Sequence, residues 1–358
     1  MQTCRAGKLI GPPTRGVQVE FDDLVRRYRR ELHVHCYRML GSFDEAEDHV
    51  QEVLLRAWRA RDGFQGRSSV RTWLYRVATN ACLDTLRRQA RRAVPGPASP
   101  GSAGPGSASP GSASPGSASP GSASRVPSVA ALPWVQPYPD VLLDELPTDQ
   151  PGPEAEAVRR ETTSLAFLAT IQLLSPRQRA VLILREMLGW RAAEVAGLLG
   201  MSVPAVNSAL QRARATLRVH WPDGLDWVPA APDAGQRRLL QRFIAAHEQA
   251  DPEALIAVLR DDVRLAISPR VGEWNGEGEV GDALRGGMTI LGQWRVLPIR
   301  ANGQLGAAGY LRRPGQATFV PFVLTVLRLE HGRVAEIAAF EQPSMFTAFG
   351  LPASLPAR

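Results

Sequence analysis

Between Ala192 and Arg218 the apolar positions change phase in a way that predicts two short helices meeting at an angle. Val195, Ala196, Leu198 and Leu199 give the first an apolar face, and Gly200 supplies the residue that takes a positive φ where it ends. Ser202 is a suitable N-cap for the second, and Pro204 sits in the first turn, where a missing N–H costs little. Val206, Leu210, Ala213 and Leu217 then recur at helical spacing. Upstream, Trp73, Leu74, Val77 and Ala81 share a helical face. Downstream, Leu239, Leu240, Phe243, Ile244 and His247 line one side of a helix. A second short helix is predicted from Pro252 to Arg260, with Asp251 as its cap. From there the period drops to two. Val263, Leu265 and Ile267 alternate as in a half-buried strand. Further strands are predicted at Trp294–Ile299, Gly303–Tyr310 and Phe322–Leu329, and Glu330-His331-Gly332-Arg333 turns into a last one, Val334–Phe340.

Composition shifts divide the chain. PGSAG followed by four copies of PGSAS runs from Pro100 to Ser124 and offers no side chain able to build a core. The expected organisation is a disordered tail (1–18), a helical domain (19–92), a disordered linker rich in Pro, Gly, Ser and Ala (93–154), a second helical domain (155–220), a short linker (221–235) and an α+β domain (236–352). A coil of about 60 residues has an r.m.s. span of about 40–45 Å, somewhat over one turn of duplex DNA at about 34 Å. Inside the linker, Leu132-Pro133-Trp134-Val135-Gln136-Pro137-Tyr138-Pro139-Asp140 is not low-complexity. With Val141, Leu142, Leu143 and Leu146 after it, this segment is expected to pack against a folded domain, with Trp134–Tyr138 as the contact.

The formal charge of +7 and a pI near 10.0 suit a polyanionic partner. Cys4, Cys36 and Cys82 form no C-x-x-C pair, so a disulfide framework is not expected and a cytoplasmic setting is. His33, His35 and Cys36 are the one cluster worth a metal query, but neighbours that close point to different helix faces; neither metal nor cofactor is expected. No run of 18 apolar residues predicts a membrane span. The first residues lack the apolar core of a signal peptide.

Candidate chemistry lies on the polar faces. In the second helix of the pair, Asn207, Ser208, Gln211, Arg212 and Arg214 can donate to base edges and phosphates. The stretch from Leu173-Leu174-Ser175-Pro176-Arg177-Gln178-Arg179 through Glu194-Val195-Ala196 to Val206–Arg214 resembles region 4 of sigma-70-type transcription initiation factors, which reads the −35 promoter element. That resemblance adds Pro204 and Ala205 to the DNA-facing set. Asp48, Gln51 and Glu52 share a helical face, and with their surroundings they resemble region 2 of the same family. The resemblance implies docking of this D-x-x-Q-E face on the largest subunit of core RNA polymerase. Arg71-Thr72-Trp73-Leu74-Tyr75-Arg76-Val77-Ala78-Thr79-Asn80 resembles the family's promoter-melting helix. Opening DNA requires phosphate contacts, which Arg71, Arg76, Arg87 and Arg88 can supply. It also requires a platform for unstacked bases, for which Trp73 and Tyr75 are candidates, although the spacing of Trp73 also suits the core. Asn80 and Asp84 are placed near the −10 element by resemblance alone.

The order of elements in 236–352, with its D-V-R-L and G-R-V-A-E-I stretches, resembles the SnoaL-like α+β cone. Carboxylates that an isomerase of that fold would need are represented by Asp262, Glu277, Glu279, Asp282, Glu336 and Glu341, with no paired acid and base; Glu277 and Glu279 are read as lying in a Gly-rich loop. The whole predicts a multidomain protein: two all-α domains and a C-terminal α+β cone. The expected function is that of an alternative sigma factor of the extracytoplasmic-function type, not an enzyme, with the cone regulating it in cis. Its expected partners are core RNA polymerase, promoter DNA and an anti-sigma factor or small ligand. The alternative is a SnoaL-type isomerase or hydrolase fused to DNA-binding segments.

Overall fold

The computed structural model describes residues 15–60, 69–93, 132–144, 164–220, 232–269 and 272–357. The N-terminal tail to residue 14, the PGSAS repeat and the stretch 221–231 lie outside the described residues. The chain begins with three helices, α1 (Arg15–Leu40), α2 (Phe43–Ala60) and α3 (Val70–Ala93). Gly41, at φ 84°, turns the chain between α1 and α2, a conformation that a side chain resists. Ala46, Val50, Val53, Leu54 and Ala57 line the buried face of α2, and Leu74, Ala78 and Ala81 that of α3.

The second helical domain contains α5 (Leu165–Gln172), α6 (Pro176–Leu182), a π-turn (Ile183–Met187), α7 (Ala192–Leu199) and α8 (Val203–His220); the short helix α4 (Asp140–Asp144) precedes it. Ser175 and Gln178 form a capping box at α6 with Pro176 in the first turn. Arg179 is buried, with its Nε donating to the carbonyl of Ile171 at 2.9 Å and Nη2 to that of Gln172 at 2.8 Å. Its Nη1 reaches the carbonyl of Met39 in α1, so one guanidinium ties the two helical domains together. Burial lowers its pKa to about 10, which leaves it charged at neutral pH.

In the C-terminal domain α9 (Ala234–Glu248) and α10 (Pro252–Ile256) precede β1 (Leu259–Ser268), β2 (Gly272–Asn275), α11 (Gly276–Leu291), β3 (Gln293–Ala301), β4 (Gln304–Arg312), β5 (Thr318–Glu330), β6 (Arg333–Phe340) and the short β7 (Leu355–Pro356). The sheet order is β2-β1-β6-β5-β4-β3, with β1–β6 parallel and the other pairs antiparallel. Register shifts in β1, β4 and β5 bend the strands, as bulges do. Two hairpins close through paired positive φ, Asn302-Gly303 and His331-Gly332, as type I′ turns require. Two sequence expectations are corrected here. The helix from Pro252 stops at Ile256, because Val258 and Leu259 are taken into the sheet beside Val334. Glu277 and Glu279 lie in the first turn of α11, not in a loop; five glycines hide that helix from propensity, and Gly281 lets it close on Ile256.

The sheet has a core on each side. Leu305, Ala307 and Leu311 of β4 pack toward α9–α11, whereas Ala308 and Tyr310 belong to a core continuous with both helical domains. Sandwiched in this way, β4 needs small residues: a Cβ on Gly306 would lie 2.4 Å from the carbonyl oxygen of Thr325.

Candidate functional site

Helices α7 and α8 meet at 100°, and Gly200 between them sits at φ 62°, ψ 40°, the left-handed cap the sequence called for. Ser202 Oγ accepts from the amide of Ala205 at 3.3 Å and opens α8. Val206, Ala209, Leu210 and Ala213 hold α8 against the domain. This anchoring turns Pro204, Asn207, Ser208, Gln211, Arg212 and Arg214 to solvent, with Ala205 half-buried. Arg214 is bridged to Glu186 at 2.7 Å; Asn207, Gln211 and Arg212 make an open row of donors and acceptors suited to a groove.

On α2 the burial of Val50, Val53 and Leu54 turns Asp48 and Gln51 outward, with Glu52 beside them in an i,i+4 pair with Arg56 at 2.6 Å. Leu55, 55 % exposed, extends the same face by one turn. On α3, Asn80, Asp84, Arg87 and Arg88 are exposed; Arg87 bridges Asp84 at 3.0 Å and Arg88 meets Thr85 at 2.8 Å. Arg71 is held by Glu31 at 2.8 Å. Trp73 is half-buried against the core. In this arrangement Tyr75 is not presented as the base platform expected of it. Tyr75 is 3 % exposed, its ring lies edge-on to His35 and Trp190, and its hydroxyl donates to Glu31 at 3.3 Å. A second helical face thus captures it, because Trp190 arrives from the other domain. Arg76 Nη2 donates to the carbonyl of Gly197 in α7 at 2.9 Å, which puts α3 in direct contact with the helix-turn-helix.

The segment 132–144, expected inside a disordered linker, is seated between the first helical domain and the sheet. Gln136 is its hub. Its Oε1 accepts from Ser42 Oγ at 2.7 Å and from the amide of Asp44 at 2.9 Å, capping α2 from outside. Its Nε2 donates to Asp44 at 2.8 Å and to Gln342 of the C-terminal domain at 2.6 Å. Tyr138 exchanges backbone and side-chain bonds with Asn302 at 2.9 and 2.7 Å, and its hydroxyl meets His33 Nδ1 at 2.9 Å. Asp140 accepts from the amide of Gly303 at 2.8 Å and from Arg300 at 3.1 Å. Trp134 is 46 % exposed, so Gln136 and Tyr138, not Trp134, carry the contact. Nothing local in the sequence pointed to Asn302 and Arg300 as the receiving residues.

His33 and His35, raised as part of a metal query, are engaged otherwise. His35 Nε2 bonds Thr79 at 2.9 Å, and burial depresses its pKa to about 3 and that of His33 to about 4. Cys36 and Cys82 are buried neighbours, and their contact together with burial pushes the Cys82 thiol up, so it stays protonated. In the C-terminal domain Glu336 is bridged by Arg328 at 3.0 Å and Asp262 by Arg260 at 2.8 Å, while Glu277, Glu279 and Asp282 are exposed. Burial lowers His247 to about 4. Among the described residues no set of three or more His, Cys, Asp or Glu is placed to hold a metal, and no single helix is long and apolar enough to cross a membrane.

Two family models match, sigma-70 region 2 over residues 24–92 and sigma-70 region 4 over residues 164–217. The chain is 39 % identical over 339 residues to the ECF RNA polymerase sigma factor SigG of Mycobacterium tuberculosis, covering 94 % of this chain and 85 % of that protein. It is 25 % identical to SigJ of the same species, over 89 % and 91 % of the two chains. The crystal structure of M. tuberculosis SigJ matches with a TM-score of 0.52 at 21 % identity, over 94 % of this chain and 99 % of that one, a likeness of fold. The chain belongs to the ECF RNA polymerase sigma factors. It is an alternative sigma factor that binds core RNA polymerase and promoter DNA, with a helix-and-sheet domain at its C-terminal side.

Proposed function

We propose that Asp48, Gln51 and Glu52 dock this cytoplasmic factor on core polymerase. Asn207, Ser208, Gln211 and Arg212, flanked by Pro204, Ala205 and Arg214, read the −35 element. Asn80 and Asp84, with Arg71, Arg76, Arg87 and Arg88 on the phosphates, act at the −10 element. The observation that carries this reading is that α2 and α8 each commit one face to a buried core and leave these residues together on the other.

The C-terminal domain regulates this activity in cis and performs no chemical step, a reading supported by five of the candidate carboxylates: Asp262 and Glu336 are bridged by arginines, and Glu277, Glu279 and Asp282 are exposed rather than set in an apolar pocket. The −35 and −10 elements are about 25 base pairs apart, or about 85 Å at about 3.4 Å per pair. Helix α3 and the helix-turn-helix touch through Arg76 and Gly197, so the arrangement described here is closed and must open on the promoter. Gln136 and Tyr138, bonded to both the first helical domain and the C-terminal domain, favour one arrangement of those two domains. A ligand or protein that binds one arrangement better shifts the balance by its differential affinity. Run-off transcription with purified core polymerase on a genomic promoter pool tests the reading. Specific starts support it, and a chain that directs no initiation and does not bind core refutes it.

A further inference from the structure

Charge is segregated within the C-terminal domain. Residues 293–329 carry Arg295, Arg300, Arg312, Arg313 and Arg328 and not one Asp or Glu. Two of the five are neutralised: Arg300 by Asp140 of the linker segment, and Arg328 by Glu336. The other three have no carboxylate partner among the described residues. Arg295 and Arg312 lean on the same ring, with their guanidinium carbons 5.8 and 5.2 Å from the centroid of Phe319. Arg312 is steadied by Gln293 at 3.1 Å, and its neighbour Arg313 is exposed. Two cations gathered around one aromatic ring repel each other. Stacking offsets part of that cost and fixes the guanidinium planes. The group stands at the end of the edge of the sheet, where β3 begins and β4 ends.

We infer that Arg295, Arg312 and Arg313 form a phosphate-binding patch through which the C-terminal domain holds the backbone of promoter DNA. The inference rests on the sigma-factor reading, because the tether supplies the proximity. Helix α8 ends at His220 and α9 is capped by Asp233, leaving twelve residues between them. Fully extended, they reach about 40–45 Å. Whenever α8 lies in the −35 groove, the patch belongs to a domain that cannot leave the neighbourhood of the duplex. A bound phosphodiester relieves the repulsion on Phe319, and planar guanidinium groups match its two free oxygens. The contact carries no base information, so it raises affinity on all promoters alike.

The test uses the full chain with core polymerase and measures equilibrium binding to a promoter duplex extended upstream of −35, between 50 and 200 mM salt. Replacing Arg295, Arg312 and Arg313 together by Glu is expected to weaken binding about tenfold or more at the low end. It should also make the slope of log K against log salt shallower by about 2 to 3, roughly 0.9 for each lost phosphate. Lys at all three positions should restore most of the affinity. Arg313→Glu alone, where no ring contact is disturbed, should weaken binding several-fold with an unchanged melting temperature. Three results overturn the inference: an unchanged slope and affinity, a Lys variant as defective as the Glu variant, or loss of core-polymerase binding in the absence of DNA. Footprints at −35 and −10 are expected in every variant, so their absence counts against the sigma-factor reading and not against the patch.

Discussion

Single side chains decide two properties that can be measured separately. Arg212 lies exposed on α8, three residues beyond the buried Ala209, and its guanidinium has no partner to displace among the described residues. Arg212→Ala is expected to weaken promoter binding by about 1–3 kcal/mol and to relax preference at one base of the −35 element, as scored on a promoter library. An unaltered preference at every position would remove Arg212 from the reading face. The buried histidines set acid sensitivity. His35 Nε2 serves Thr79 while Nδ1 has no partner among the described residues, so a second proton would leave an N–H buried without an acceptor there. With folded pKa values of about 3 for His35 and about 4 for His33, against about 6.5 unfolded, the unfolded chain takes up protons first as pH falls. Stability contributed by the neutral rings is therefore complete above about pH 6.5 and declines from there toward pH 4, by up to about 1.4 kcal/mol per pH unit for each ring. Denaturant titrations at pH 7.5, 6 and 5 should show this fall, and His35→Gln should flatten it.

At the scale of elements, amphipathic helices were legible because one face of each is fixed by burial. The i, i+3, i+4 spacing of Asp48, Gln51 and Glu52 sufficed to place them together, and the structure finds Leu55 on the same surface. Asp48→Arg with Glu52→Arg is expected to abolish co-purification with core polymerase while the circular dichroism spectrum stays native-like. Retained binding with a native spectrum would show that this face is not the dock. Elements whose sequences run against their own propensity were not legible. Helix α11 contains five glycines and is defined by packing on β1 and α10, and the end of α10 is set by the pairing of Leu259 with Val334. The burial of Tyr75 was not legible for a related reason, since part of it comes from Trp190, 115 residues away.

Over the whole molecule, the linker segment is a fastening whose strength sits in a few polar atoms. Gln136 makes bonds to Ser42, Asp44 and Gln342 at once, and Asn302 joins Tyr138 to Tyr37. Leaving such buried partners unsatisfied costs about 1–3 kcal/mol each, enough to move a two-state balance by one or two powers of ten. Gln136→Ala and Asn302→Ala are therefore expected to loosen the C-terminal domain from the first helical domain. With dyes on the exposed residues Gln89 and Glu277, energy transfer should fall in both variants and promoter output should change. Trp134→Ala, at an exposed position, should leave both unaltered. Equal transfer in all three variants would show that the segment does not fasten the domains. Deleting the chain from Asp233 onward removes Gln342 and Asn302 together and should change promoter output more than either single variant.

The sequence by itself determined the helix-turn-helix, the polar faces of α2 and α8, and the alternation that forms the sheet, because these depend on neighbours within one or two turns or one strand. The Gly200 cap and the His331-Gly332 hairpin were legible for the same reason: the backbone conformation required there is written in single residues. Only the tertiary structure decided which prolines and aromatics of the linker are gripped, where Tyr75 points, and that Arg76 meets a carbonyl of the other helical domain. Those outcomes rest on contacts between segments from about 90 to more than 260 residues apart, such as Asn302 with Tyr37. No local period encodes such a contact, because it exists only after each domain has presented a finished surface to the next.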